Sequence, residues 1–241
     1  MIKQALAFTA IALASSMVSA GPTIDRLKAT ENINIGMRQN VVPYNILDPK
    51  FNRFSGYSND ICSNIVKKIE SKIGKNLTIS KREVSAQARF NYLLNGNTDL
   101  NCAADSLTPE RLKMGIGFAI MDADPVVPAG LKSGTQLKSL EDLKGKRIAL
   151  TAGTTAEKAI RQLNSQKGFG AVIVPVKDYS EGFALIEQGR ADYIATNSVL
   201  LAGNIATLSN GSSFKLFNNV IIDPPELIGI AYHAKDKDGK S

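Results

Sequence analysis

The chain carries LLNGNTDL at residues 93–100 and LIEQGRADY at residues 185–193. Both stretches have the pattern of a helix end, a glycine, two linking residues, an aspartate and an apolar strand. Because the same pattern occurs once in each half of the chain, we expect two lobes of related architecture. A chain of 241 residues is long enough for two such lobes with a sizeable buried core.

Strands alternate with helices around both stretches. Strands are predicted at residues 33–37, 77–79 with Val84, 99–103, 147–151, 171–174 and 192–196. One helix is predicted from the i+4 spacing of Ile61, Ile65, Ile69 and Ile73, and it ends at Gly74. Further helices are predicted at residues 88–95, from Thr108, from Thr154 and at residues 182–188. Strands that alternate with helices of this length indicate parallel β-α-β units, so both lobes are predicted to be α/β.

Two segments are predicted to join the lobes. Residues 124–130 form the crossing and residues 227–232 the return strand. The first lobe then spans residues 21–124, with residues 225–241 returning to it, and the second spans residues 125–224. Ligands of open parallel sheets collect beyond the carboxyl ends of the strands. The residues at those ends are Arg38, Ser106, Thr151, Thr154 and Asn197. The sequence therefore predicts a ligand cleft between the lobes.

Residues 1–20 are predicted to be a cleavable secretory signal. Lys3 supplies a positive start, residues 5–14 are apolar apart from Thr9, and residues 18–20 (VSA) offer small side chains for cleavage. A retained anchor is the alternative, although the apolar run is short for a bilayer. The mature chain is thus expected to be exported.

The two cysteines and the single histidine limit which metal sites and catalytic groups the chain can form. Cys62 and Cys102 are the only cysteines, and we predict a disulfide between them because disulfides persist in exported proteins. Two buried free thiols are the alternative. One histidine, His233, argues against a His-ligated zinc cluster, and we interpret it as a strand end rather than a catalytic base. No metal or cofactor is expected.

The formal net charge of +7 leaves anionic ligands, nucleic acid and acidic surfaces open as partners. The basic residues lack the aromatic interleaving that nucleic-acid binding favours, so no nucleic-acid partner is expected. Arg38, Arg89 and Arg111 each follow a predicted strand or open a helix, and guanidinium groups bind carboxylates in bidentate geometry. The turn at residues 153–155 adds backbone N–H groups at a helix N-terminus, where anions bind.

The sequence resembles the periplasmic solute-binding proteins for amino acids, and within them the glutamate/aspartate branch. The matching stretches are GYSNDIC at residues 56–62, residues 89–102, Ser106 with Glu110 and Arg111, LKGK at 143–146, TAGTTAE at 151–157 and LLAG at 200–203. The resemblance covers about residues 24–236 and implies the two-lobed periplasmic-binding-protein (type II) fold, with the ligand cleft between the lobes. It also implies that the chain is a periplasmic substrate-binding protein of an ABC transporter.

The resemblance further implies roles for individual residues. Arg111, with Thr154 and nearby backbone N–H groups, is expected to bind the α-carboxylate of the ligand. Ser106 and the carbonyl of Ala104 are expected to accept hydrogen bonds from its α-amino group. The ligand is then held by arginine–carboxylate contacts as the lobes close around it.

The resemblance also indicates which residues recognise the side chain of the ligand. Arg38 and Arg89 match the arginines that face a side-chain carboxylate, which favours glutamate or aspartate. Three positions depart from the branch: Asn197 replaces the aspartate expected at the α-ammonium, Ala86 replaces a hydroxyl, and Tyr179 replaces a histidine. A neutral acceptor loses a charge-assisted hydrogen bond, so a dicarboxylate without an amine stays open as the ligand.

The resemblance implies a binding protein rather than an enzyme. Its partners would be a small amino acid or dicarboxylate and an inner-membrane permease, and we expect a monomer. Two other functions stay open. One is a truncated or divergent paralogue with weak or altered binding. The other is a cyclohexadienyl dehydratase-like enzyme on the same scaffold, for which Asp105 and Glu157 are the candidate general acids.

Overall fold

The computed structural model describes residues 22–234. The predicted signal at residues 1–20 lies outside the described residues, as does the end of the returning segment from residue 235 onward. Within residues 22–234, no helix has the length and apolar character needed to cross a membrane.

The described chain alternates helices and strands in both halves. The helices are α1 (Pro22–Thr30), α2 (Tyr57–Ile73), α3 (Arg89–Leu94), α4 (Pro109–Lys113), α5 (Thr155–Lys167), α6 (Tyr179–Glu187) and α7 (Ser198–Thr207), with 3-10 turns at Leu140–Leu143 and Gly211–Ser213. The strands are β1 (Asn32–Met37), β2 (Ile46–Asp48), β3 (Arg53–Ser55), β4 (Thr78–Glu83), β5 (Leu100–Ser106), β6 (Ile116–Leu131), β7 (Arg147–Thr151), β8 (Val172–Val176), β9 (Tyr193–Asn197), β10 (Phe214–Leu216) and β11 (Asp223–His233).

One long strand connects the two halves of the sheet. The strand order is β4-β1-β5-β11-β6-β9-β7-β8, with β10 beside β6, while β2 and β3 form a separate hairpin. The first half of β6 pairs with β11, and its second half pairs with β9. The predicted lobe boundary at residue 124 therefore falls inside a continuous strand, and the lobe limits stay a prediction.

The strand directions bring two sets of strand ends face to face. β5 and β6 are both antiparallel to β11, so β5 points along β6 toward its second half. β9 is antiparallel to that second half and points back toward the first. The parallel neighbours β1 and β7 follow β5 and β9 respectively. The carboxyl ends of the strands in both halves therefore border the same gap, as the sequence predicts.

The aspartate of the repeated stretch has the same structural role in both halves. Asp99 accepts the backbone N–H of Asn34 at 2.8 Å and forms an ion pair with Arg26. Asp192 accepts the backbone N–H of Arg147 at 2.8 Å and forms an ion pair with the Arg147 side chain. Each carboxylate thus ties its strand to the neighbouring parallel strand at the point where pairing begins.

Most predicted elements are confirmed to within a few residues. The strand at residues 147–151 matches β7, and α2 ends at Gly74, whose φ of 71° is left-handed. The helix predicted at residues 182–188 is wrong at its start, because α6 begins at Tyr179. The Asp178 side chain accepts the N–H of Glu181 and caps the helix three residues earlier than the apolar pattern indicates.

The predicted disulfide is confirmed. Cys62 of α2 and Cys102 of β5 are bonded, with their α-carbons 6.1 Å apart. Both side chains are buried among the apolar residues that lie between α2 and the sheet. The bridge therefore fixes α2 to the strand that ends at the gap between the lobes.

Replacing both Cys62 and Cys102 with alanine is expected to lower the free energy of unfolding by about 2–4 kcal/mol, because the bridge closes a long loop of the unfolded chain. Urea denaturation of the oxidised wild type and the double variant measures the difference. Two alkylatable thiols in the purified protein without reductant would contradict the bridge.

Candidate ligand-binding site

The predicted ligand residues lie at the facing ends of the two lobes. From the first half come Arg38 after β1, Arg89 at the start of α3, Ala104 and Ser106 in β5, and Arg111 in α4. From the second half come Thr154 before α5, Tyr179 at the start of α6, and Asn197 at the end of β9. Topology alone thus gathers side chains that are distant in the sequence.

Three buried arginines form the centre of this region. The exposed fractions of Arg38, Arg89 and Arg111 are 5%, 2% and 8%. The guanidinium carbons of Arg89 and Arg111 lie 4.2 and 4.5 Å from the centre of the same ring, that of Phe90. Stacking of both cations on one ring stabilises them and holds them close together.

The arginines disfavour one another's charge. Burial lowers the pKa of Arg111 to about 10, and the positive charges of Arg89 and Arg38 add to this decrease. Burial also lowers the pKa of Arg89, although the charge of Asp105 opposes the decrease. The three guanidinium groups concentrate positive charge in this region, and an anion would stabilise that charge.

Asp105 partly compensates this charge. Its Oδ1 accepts a hydrogen bond from Arg89 Nε at 2.5 Å, and the Asp105 side chain is fully buried. Arg89 also donates to the backbone carbonyl of Ala86. The second carboxylate oxygen of Asp105 has no hydrogen-bond partner among residues 22–234. Arg89 is therefore the arginine that the protein itself already neutralises.

The other two arginines have no carboxylate partner within the described chain. Arg111 Nη1 donates to the carbonyl of Ser106 at 2.5 Å, and its Nη2 lies 3.5 Å from the carbonyl of Gly153 in the second half. Within residues 22–234 no hydrogen bond or ion pair involves the Arg38 side chain, whose guanidinium lies 5.8 Å from the Tyr179 ring centre. The guanidinium groups of Arg38 and Arg111 can therefore bind the carboxylate of a ligand.

The N-terminus of α5 is already occupied by groups of its own chain. The Thr154 hydroxyl donates to the carbonyl of Thr151 at 2.7 Å and accepts the N–H of Glu157. The Glu157 carboxylate accepts the N–H of Gly153 at 2.9 Å and also pairs with Arg161. The helix predicted from Thr154 is confirmed, with Thr154 as its N-cap. This cap and Glu157 use backbone N–H groups that the sequence analysis assigned to anion binding at this turn.

Asn197 and Tyr179 have structural partners as well. Asn197 Nδ2 donates to the backbone carbonyl of Asp124 at 3.0 Å, and the Tyr179 hydroxyl accepts from Thr196 at 3.3 Å. The Asp124 carboxylate accepts from Ser198 Oγ and from the N–H of Val199, so it caps α7 from β6. This end of the cleft is therefore fixed to the crossing strand.

Two contacts between the lobes involve Lys158 and Glu226, which the sequence analysis did not single out. Lys158 Nζ lies 2.6 Å from Glu110, and Thr155 Oγ1 donates to Glu226 at 2.9 Å. Thr155 Oγ1 also lies 3.5 Å from Ser106 Oγ. The pairing with Lys158 lowers the pKa of Glu110 to about 2. Pairwise contacts between distant surface residues leave no pattern in a single sequence.

A cavity of about 670 Å³ opens between α4 and α5. Its walls include Phe90, Arg111, Gly153 and Thr154. Among residues 22–234, no group of three or more His, Cys, Asp or Glu side chains is arranged to hold a metal. Of the three buried arginines, Arg111 lines this cavity, whereas Arg38 and Arg89 do not.

The two lobes also lie close together at Gly153. A Cβ added to Gly153 would lie 2.8 Å from the Cα of Gln87, and Gly153 has a φ of 77°. Both the close contact and the left-handed backbone favour glycine here. The structure therefore has a closed cleft, with the turn before α5 against the chain before α3.

Comparison with known proteins defines the class. Residues 33–118 match the model of the bacterial extracellular solute-binding proteins, family 3. The glutamate/aspartate import solute-binding protein of Escherichia coli is 30% identical over 224 residues, which cover 89% of this chain and 73% of the relative. The Salmonella typhimurium protein of the same name is 31% identical over 201 residues. The chain belongs to family 3 of the bacterial extracellular solute-binding proteins.

Solved structures support the same fold. The chain is similar to arginine-bound ArgBP from T. maritima, with a TM-score of 0.72, 22% identity and coverage of 89% of this chain and 93% of that one. It is also similar to the cysteine-binding protein of Campylobacter jejuni, with a TM-score of 0.74, 22% identity and coverage of 90% and 82%. The predicted two-lobed α/β fold is confirmed. The matched part of the chain spans 65% of the length of the Salmonella relative and 61% of the length of the L-glutamate/L-aspartate-binding protein of Pseudomonas aeruginosa, which is 30% identical over 185 residues.

Gly153→Ala is expected to weaken ligand binding at least about tenfold while the protein stays folded, because the added methyl group would hold the lobes apart. Isothermal titration calorimetry and circular dichroism measure the two effects. Gly145→Ala is the matched control, since Gly145 has a similar φ of 66° but no atom within 4 Å of the added Cβ. Equal affinity of both variants would contradict closure at Gly153.

Proposed function

We propose that this chain is the substrate-binding component of an ABC transporter and captures acidic amino acids, glutamate or aspartate, in the periplasm. The observation that carries the proposal is the convergence of Arg38, Arg89 and Arg111 in a region closed by two lobes. The names of the Salmonella and Escherichia relatives add support for an acidic ligand.

Charge balance favours a ligand with two carboxylates. Arg89 is neutralised by Asp105, which leaves the charges of Arg38 and Arg111 for the ligand. One carboxylate would be bound by Arg111 and the second by Arg38, beside the ring of Tyr179. Buried charge-assisted hydrogen bonds of this kind are about twice as strong as neutral ones. Ser106 and the carbonyl of Ala104 stay the proposed acceptors for the α-amino group.

Binding and closure are coupled in this proposal. Arg38, Arg89 and Arg111 come from the first half, whereas Thr154, Tyr179 and Asn197 come from the second. A ligand that contacts both sides stabilises only the closed form and shifts the population toward it. An inner-membrane permease that recognises the closed form would then receive the ligand.

The cleft carboxylates favour binding over turnover. An enzyme on this scaffold would need a general acid free to reach the ligand. Glu157 is engaged by the N–H of Gly153 and by Arg161, and one oxygen of Asp105 is engaged by Arg89. The Glu157 carboxylate therefore has two partners within the protein, and Asp105 is part of a buried ion pair through one oxygen.

Titration calorimetry with L-glutamate, L-aspartate, glutarate and L-glutamine tests this function. We expect the acidic ligands to bind and glutamine to bind at least about tenfold more weakly, because an amide forms weaker hydrogen bonds with a guanidinium than a carboxylate does. Arg38→Gln is expected to remove most of that difference.

Arg190→Gln, at an exposed position, is the matched control and should preserve the preference. Glutamine binding as tightly as glutamate would contradict the acidic specificity. No binding of any of the four ligands would favour the divergent paralogue, and chemical conversion of a bound ligand would favour the enzyme.

A further inference from the structure

We infer that Asp105 determines specificity by acting as an internal carboxylate that occupies Arg89. This inference rests on the proposed function and deepens it, because it names which arginine is withheld from the ligand. The carboxylate of Asp105 occupies the place at Arg89 Nε that a ligand carboxylate would otherwise take.

The contacts of the Arg89 side chain are with other residues of the protein. Its Nε contacts Asp105, its Nη1 contacts the carbonyl of Ala86, and its guanidinium stacks on Phe90. The ion pair is enclosed, with side-chain exposures of 2% and 0%. An ion pair removed from solvent is screened little, so the pairing cancels most of the charge that Arg89 offers to a ligand.

The packing of α3 against β5 explains why Asp105 reaches Arg89. Asp105 is the penultimate residue of β5, and Arg89 opens α3, which lies against that strand. The neighbouring Asn101 donates to the carbonyl of Arg89 at 3.0 Å and anchors the backbone of α3 to β5. β5 therefore contacts Arg89 twice, through Asn101 at its backbone and through Asp105 at its side chain.

The consequence is a site with three guanidinium groups and one built-in anion. The positive charge that remains in such a site favours a ligand with a second carboxylate over a neutral amino acid. Without the charge of Asp105, Arg89 would regain an unbalanced positive charge next to Arg38 and Arg111. The preference for acidic over neutral ligands would then increase.

Calorimetric affinities for L-glutamate and L-glutamine in the full chain test the inference. Asp105→Asn, which keeps the shape and removes the charge, is expected to raise the glutamate-to-glutamine affinity ratio at least about tenfold. Adding Arg89→Gln to this variant is expected to cancel the gain. Asp105→Ser serves as a second variant if the asparagine variant does not fold.

The second half of the chain provides a matched control. Asp192→Asn breaks the Arg147–Asp192 ion pair away from the cleft and should leave the ratio unchanged. An unchanged ratio in Asp105→Asn, or a gain that survives Arg89→Gln, would overturn the inference. If the wild type binds none of the acidic ligands, the proposed function fails. Glutamate binding gained by Asp105→Asn would then still support the role of Asp105, and no binding would overturn that role as well.

Discussion

The burial of three like charges in one place is the constraint on which this site depends. Removing a guanidinium from water is costly unless it finds hydrogen bonds or an opposite charge. The protein meets this cost unevenly: Asp105 neutralises Arg89, backbone carbonyls accept from Arg111, and the Tyr179 ring lies beside Arg38. A small anion would supply the charge that the described chain does not, which links ligand binding to the stability of the closed form.

The fold makes this arrangement possible through the direction of two strands. β6 runs from one lobe into the other and β11 returns beside its first half, so strands in the two lobes end against the same gap. Helix starts follow those ends, and Arg89, Thr154 and Tyr179 lie at or just before the first residue of a helix. The Asp124 carboxylate, which caps α7 from β6, ties the crossing strand to the second lobe.

Local patterns in the sequence predict most of the fold, because caps, glycines and apolar spacing act over a few residues. β7, the end of α2 and the caps at Thr108 and Thr154 follow from such signals. The sequence also indicates that the three arginines lie near strand ends on one side of the sheet, but it does not establish that they meet. The Arg89–Asp105 pair does not, because the direction of a side chain on a strand depends on the neighbouring elements. For the same reason, the sequence does not predict the hydrogen bond from Asn197 to the Asp124 backbone.

The thermal stability of ligand-free Arg38→Gln tests the central claim most directly. If Arg38 is a buried charge that awaits an anion, its neutral replacement should raise the Tm of the ligand-free protein. The same replacement should remove most of the increase in Tm that glutamate causes in the wild type. A lower Tm without ligand, together with an undiminished glutamate-induced increase, would show that Arg38 serves the fold and not the ligand, and would contradict the account.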